Sequence, residues 1–167
     1  MAAPTITWYP VTDNGGSPQK GSSISVLDFG NVQAGHWSDA KAIVATFSGN
    51  TANTLKFWLN DTVATGGNTN VSASAPSPWN HYYTIDDDWM DPDNVTDTMK
   101  AGGATDPNGN TWGVLPESEP GSSNFVNSSI ASVPDDTDYI FLAVQPPSDS
   151  GDGVTENWGY RCSYLFP

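Results

Sequence analysis

From Ala40 to Ser48 the chain alternates. Ala42, Val44 and Thr46 fall on one side, and Ile43, Ala45 and Phe47 on the other. A period of two is that of a β-strand. Leu55, Phe57 and Leu59 alternate with Lys56, Trp58 and Asn60, the pattern of a half-buried strand. Thr5 to Val11 reads as a first strand with Ile6, Trp8 and Pro10 on one face, Ser23 to Phe29 as a second, and Tyr82 to Ile85 as a short one. Tyr139 to Val144 is nearly continuous in hydrophobic residues, which suits a central strand covered on both faces. Gly159 to Phe166 is expected to pair with it as a closing hairpin around a Pro146 to Asn157 loop. Asp13 to Pro18 and Gly49-Asn50 are turn signals, and Gly66 to Pro78 reads as a loop. Asp91 to Val133 is rich in Gly, Pro, Asn and Ser and irregular, with room for one helical turn between Asp93 and Met99. A connection this long is uncommon in a compact domain and tends to be functional or to dock on something. The pattern predicts an all-β fold, a single antiparallel β-sandwich over residues 1–167 with a long irregular insertion at about 91–133. Its expected core is Val26, Phe29, Ile43, Phe47, Phe57, Leu59, Ile140, Leu142 and Val144.

Within Leu27 to Gly35, Gly30 and Gly35 permit positive φ, and Asp28 and Asn31 are small polar turn-formers. Val26, Phe29 and Val32 supply the apolar positions of a short strand ending in a turn. The run Asp28-Phe29-Gly30-Asn31-Val32-Gln33-Ala34-Gly35, followed by a strand and the Gly49-Asn50 corner, resembles the opening of immunoglobulin-like domains of the ASPM/SPD-2/Hydin type. That resemblance implies an Ig-like sandwich and a building or docking module. The closing stretch, with Pro147, Gly151, Trp158, Arg161 and Tyr164, resembles the last strands of small β-sandwich accessory proteins of tailed bacteriophage virions. It implies a virion decoration, cement or tail component.

Charge narrows the partners. The net charge is −14, although only 14% of residues are charged. Lys20, Lys41, Lys56, Lys100 and Arg161 are scattered and form no basic stripe, so nucleic acid is not an expected partner. An acidic surface also disfavours anionic membranes, and no run is long and apolar enough to span one. So many like charges on a small domain repel at low ionic strength, so stability should rise with salt. Seven Trp, six Tyr and six Phe supply core volume that the aliphatic content does not. Cys162 stands alone, which excludes an intrachain disulfide and reads as a small buried hydrophobe. Met1-Ala2-Ala3-Pro4 has neither a basic nor an apolar leader region, so synthesis in a host cytoplasm is expected.

Three groups could carry chemistry. Asp86, Asp87, Asp88, Asp91 and Asp93 crowd one stretch. Hard carboxylate oxygens on a loop suit Ca²⁺, with Asp86, Asp88, Asp91 and Asp93 as the candidate ligands; the other reading is a solvated acidic turn. On a continuing strand Asp87 would point away from Asp86 and Asp88. Asp106, Asn108, Asn110 and Glu117 stand at EF-hand-like spacing. Thr111 occupies the glycine position, Pro116 precedes the glutamate, and no helix flanks the loop, so a plain turn competes. His36 and His81 are the only histidines and stand in no metal-ligand or catalytic spacing, and no nucleophile motif is present. The expectation is a non-enzymatic virion structural protein of the capsid decoration or cement type, displayed on the virion surface. Its partners would be a repeated lattice of major capsid or other virion protein and neighbouring copies of itself. The alternative is a carbohydrate-binding sandwich in which Trp89 and Trp112, with Trp37 and Trp79, stack on sugar faces. Ca²⁺ is the one cofactor in view, and only for the acidic loop.

Overall fold

The structure, a computed structural model, describes residues 2–60, 80–148 and 159–167. The expected loop Gly66 to Pro78, Trp79, and positions 151 and 158 of the closing resemblance lie outside those residues. The fold is all-β, built from two antiparallel sheets. Its strands are β1 (Thr5–Asp13), β2 (Pro18–Lys20), β3 (Lys41–Ser48), β4 (Ala52–Asn60), β5 (Asn80–Asp86), β6 (Gly113–Val114), β7 (Ser129–Ile130), β8 (Asp135–Asp136), β9 (Tyr139–Gln145) and β10 (Gly159–Leu165). The larger sheet runs β2-β1-β3-β9-β5-β6, with β8 also on β3; the smaller runs β10-β4-β7.

The alternation in β3 works as the sequence implies. Ile43, Ala45 and Phe47 point between the sheets, where they meet Leu55, Phe57 and Leu59 of β4, Ile85 of β5, and Ile140 and Leu142 of β9. Aromatic rings stitch the two layers. Trp8 of β1 lies 6.1 Å from Phe57 of β4, and Phe47 of β3 meets Tyr164 of β10 edge-on at 5.2 Å, while within the smaller sheet Phe57 stacks on Tyr160. Ala42 and Val44 face the other way, with Val11, Phe141 and Ala143. That second face is covered by the irregular segment, which lays Met90, Val95 and Trp112 on it. This is why β3 and β9 are apolar on both sides: one face packs on a sheet, the other on a loop layer. Further along, the same segment sends Leu115, Phe125 and Ile130 back between the sheets.

Local chemistry makes that segment regular where it can be. Asp91 caps a 3-10 turn at Pro92–Asn94, and Thr96 caps the single turn α1 (Asp97–Lys100), the helical turn foreseen in this stretch. The buried Lys100 ties α1 down by donating to the Ser38 carbonyl at 2.8 Å and to Asp97 at 3.1 Å. β4 carries a bulge opposite Ser163 and Leu165, and Thr54 there takes φ 54°.

Several expectations are corrected. The first strand forms where the alternation places it, with β1 pairing with β3 along Thr5 to Val11 and forming a hairpin with β2, but elsewhere the chain departs from the pattern. Ser23 to Phe29 is not a strand. After β2 the chain follows the outer edge of β1 only as far as Ile24, whose N–H donates to the Trp8 carbonyl at 2.9 Å, and then leaves the sheet. Val26 is therefore 73% exposed rather than in the core, and Phe29 is half-buried against it. Gly30 and Gly35 do adopt positive φ, at 69° and 76°. The closing hairpin does not form. β9 has its two edges filled by β3 and β5, so β10 pairs with β4 in the opposite sheet.

Candidate functional site

Among the five basic side chains, Lys20, Lys56 and Lys100 are each engaged by an acid of the same chain. Lys20 pairs with Asp136 at 2.9 Å, Lys56 with Glu119 at 3.1 Å, and Lys100 with Asp97. All five sit on regular elements: β2, β3, β4, α1 and β10. Four other carboxylates accept backbone N–H groups. Asp13 accepts the Gly16 N–H, Asp28 that of Gly30, Asp91 that of Asp93, and Asp135 that of Asp136. These four acids cap turns within the chain and satisfy loop backbone N–H groups there.

Strand β5 ends at Asp86, so period-two alternation stops there. Asp86, Asp87 and Asp88 consequently converge, each offering an oxygen within 4.8 Å of the others. The expected outward turn of Asp87 does not occur, and Asp91 and Asp93 are not in the converging set. Asp86 is buried and committed. It accepts the Asp88 N–H at 3.0 Å, Asn108 Nδ2 at 2.8 Å and Asn110 Nδ2. Asp87 and Asp88 are the exposed carboxylates left to meet a cation.

Asp106 binds inward. Its Oδ1 accepts the N–H groups of Asn108 at 3.0 Å and Asn110 at 2.8 Å, and its Oδ2 accepts Trp112 Nε1 at 3.1 Å. The EF-hand-like spacing is thus an Asx-type turn that anchors a buried indole. Asp138 accepts both the backbone N–H and the side-chain amide of Asn127, each at 2.7 Å. Burial raises its pKa, the charge of Asp87 adds to that, and the Asn127 hydrogen bonds oppose it. Asp138 joins Asp87, Asp135 and Asp136 along an acidic groove of about 620 Å³.

The candidate stacking rings part company. Trp112 is 2% exposed and presents no face to a sugar. Trp89 is half-buried; its Nε1 donates to Asp13 Oδ1 at 2.9 Å and its ring packs on Tyr139 and Phe141. Trp37 packs edge-on to Tyr82. Among the groups suited to proton transfer or nucleophilic attack, His81 is buried between the sheets, and loss of solvation lowers its pKa to about 3. It is neutral near pH 7 and a weak base. Burial pushes the Cys162 thiol up to about 12, so the thiolate nucleophile is scarce.

A second groove, of about 380 Å³, was not readable from sequence because four separated segments build it. Pro10 to Asp13 of β1, the Ile24 to Asp28 stretch and Asp91-Pro92-Asp93 line it around Ala40, Lys41 and Ala42. Asp91 and Asp93 thus belong with Asp13 and Asp28, not with Asp86 and Asp88. No helix among the described residues is long and apolar enough to cross a membrane. In comparisons with protein-family models, with curated proteins and with solved structures, no significant match to this chain was found.

Proposed function

We propose that this chain is a non-enzymatic structural protein of a virion, of the capsid decoration or cement type, that seats on a repeated protein lattice. The observation that supports this most is the disposition of charge. The chain carries −14, and Lys20, Lys56 and Lys100 are each paired with an acid of the same chain. What it offers a partner is an acidic surface with two grooves, each lined by several aspartates. Such a face favours a receiving surface with basic patches and rejects nucleic acid and anionic lipid. Individually weak contacts become firm occupancy when neighbouring copies on the lattice also touch, through effective concentration. The resemblance of the closing stretch, at Pro147, Gly151, Trp158, Arg161 and Tyr164, supports a tailed bacteriophage virion as the class of particle.

The test is add-back. Capsids stripped of this protein are mixed with the purified chain and sedimented across a salt series. Saturable co-sedimentation that weakens as salt rises is expected. A chain that stays in the supernatant at low salt, or that binds independently of salt, overturns the reading.

A further inference from the structure

We infer that the groove between Pro10 to Asp13, Ile24 to Asp28 and Asp91 to Asp93 is a docking cleft for an extended protein segment that carries lysine or arginine beside an aliphatic residue. The floor of the groove is apolar: Val11, Ala40, Ala42 and Pro92 are buried there. One wall is Ile24, Val26 and Leu27. Val26 is the most exposed large hydrophobic residue among those described, at 73%. It stands on a stretch with a strand's sequence pattern that no strand has claimed. An aliphatic side chain of a partner laid against Val26 would remove both from water.

The rim supplies the second requirement. Asp13, Asp28, Asp91 and Asp93 face a single cation, Lys41. Three of these carboxylates are fixed by backbone N–H groups before any partner arrives: Gly16 holds Asp13 at 2.9 Å, Gly30 holds Asp28 at 2.7 Å, and Asp93 holds Asp91 at 3.0 Å. Trp89 Nε1 also holds Asp13, from the side of the loop layer. The Gly16 N–H, and then the Trp89 indole, lower the pKa of Asp13, so its charge persists into mild acid. A lysine or arginine fits this combination because its methylene stem lies on apolar surface while its head reaches the acids. Acidic peptides and nucleic acid are repelled by the same rim. The volume is at the small end of the range of roughly 300–1,000 Å³ for ligand pockets, room for a few side chains.

The inference rests on the proposed lattice role only for the identity of the partner; the cleft can be tested without it. The probe is a capped peptide of alternating valine and lysine, titrated into the full chain while backbone amide shifts are followed by NMR. Shifts confined to Val11 to Asp13, Ile24 to Asp28 and Asp93 are expected. Val26→Ser and Asp93→Lys should each weaken the probe about fivefold, the size of one exposed interaction removed or reversed in sign. A serine–lysine peptide should also bind more weakly. Both variants alter exposed side chains, and their amide spectra report whether the fold is kept. Shifts centred on Asp135 to Asp138, equal binding of the serine–lysine peptide, or unchanged affinity of the double variant overturns the cleft. Add-back to capsids separates the two proposals. A double variant that reseats like the wild type overturns the cleft and leaves the lattice role standing. A wild type that binds the probe in the cleft but seats on no capsid does the reverse.

Discussion

Replacing Asp106 by Ala tests whether the acids of this chain are structural. The carboxylate is 4% exposed and accepts three hydrogen bonds, two from backbone and one from the Trp112 indole. Without it the two backbone donors lie in an otherwise exposed turn and regain water, at about 1 kcal/mol each, the typical cost of a lost cap. The indole N–H has no such recourse, because Trp112 is buried under the loop layer. An orphaned buried donor costs about 1–3 kcal/mol. The expected loss is about 3–5 kcal/mol, a large fraction of the stability of a domain this size. Asp106→Asn keeps the shape but sets an amide N–H₂ against at least one donor, and should cost about 1–3 kcal/mol. In the background of Trp112→Phe, which removes the indole donor, the Asp106→Ala loss should shrink by the indole's share. Urea unfolding followed by tryptophan fluorescence measures the wild type and the four variants, with and without Ca²⁺. A loss below about 1 kcal/mol for Asp106→Ala would refute the structural role. A loss that appears only with Ca²⁺ present would make Asp106 a metal ligand instead.

Two further outcomes are expected. His81 has a folded pKa of about 3, well below its unfolded value of about 6.5. The unfolded chain takes up its proton first, so this group's contribution is intact above pH 6.5 and lost as pH falls toward 3. Between about pH 6.5 and 4.5 that is about 2–3 kcal/mol, and His81→Leu should remove that part of the acid sensitivity; parallel pH profiles for the two proteins would refute the buried neutral imidazole. Leu142→Ala should cost about 2–5 kcal/mol by urea unfolding, because Leu142 is 1% exposed between two sheets, whereas a loss below about 0.5 would contradict the packing.

What the sequence revealed and hid follows a physical line. β3 and β9 were legible because their own side chains record both covering layers. Val26 and Phe29 misled because alternation reports a chain able to be a strand, while strand status needs an open edge. The edge of β1 is followed only from β2 to Ile24. The pairing of β10 was hidden for the same reason: adjacency in sequence favours a hairpin, but β5 already occupied that edge of β9. The acidic stretch was visible as a cluster, yet the role of Asp86 depends on Asn108 and Asn110, far along the chain. The groove at Val26 is a property of tertiary structure alone, since no single segment contributes more than one wall.

The placement of the five basic residues on strands and a helical turn bears on proteolysis. A trypsin-like protease cuts after lysine or arginine and must first draw several residues of chain into an extended form in its cleft. Exposed loop tips are where nicking ordinarily begins, yet the irregular layer from residue 101 to residue 134 holds no lysine or arginine. Each scissile position instead follows a residue of a sheet or of the capped turn at Lys100. Cleavage must therefore wait for that element to open, and its rate follows the population of opened molecules rather than the accessibility of the loops. The loop layer is thereby shielded from this class of protease by composition, while remaining open to solvent.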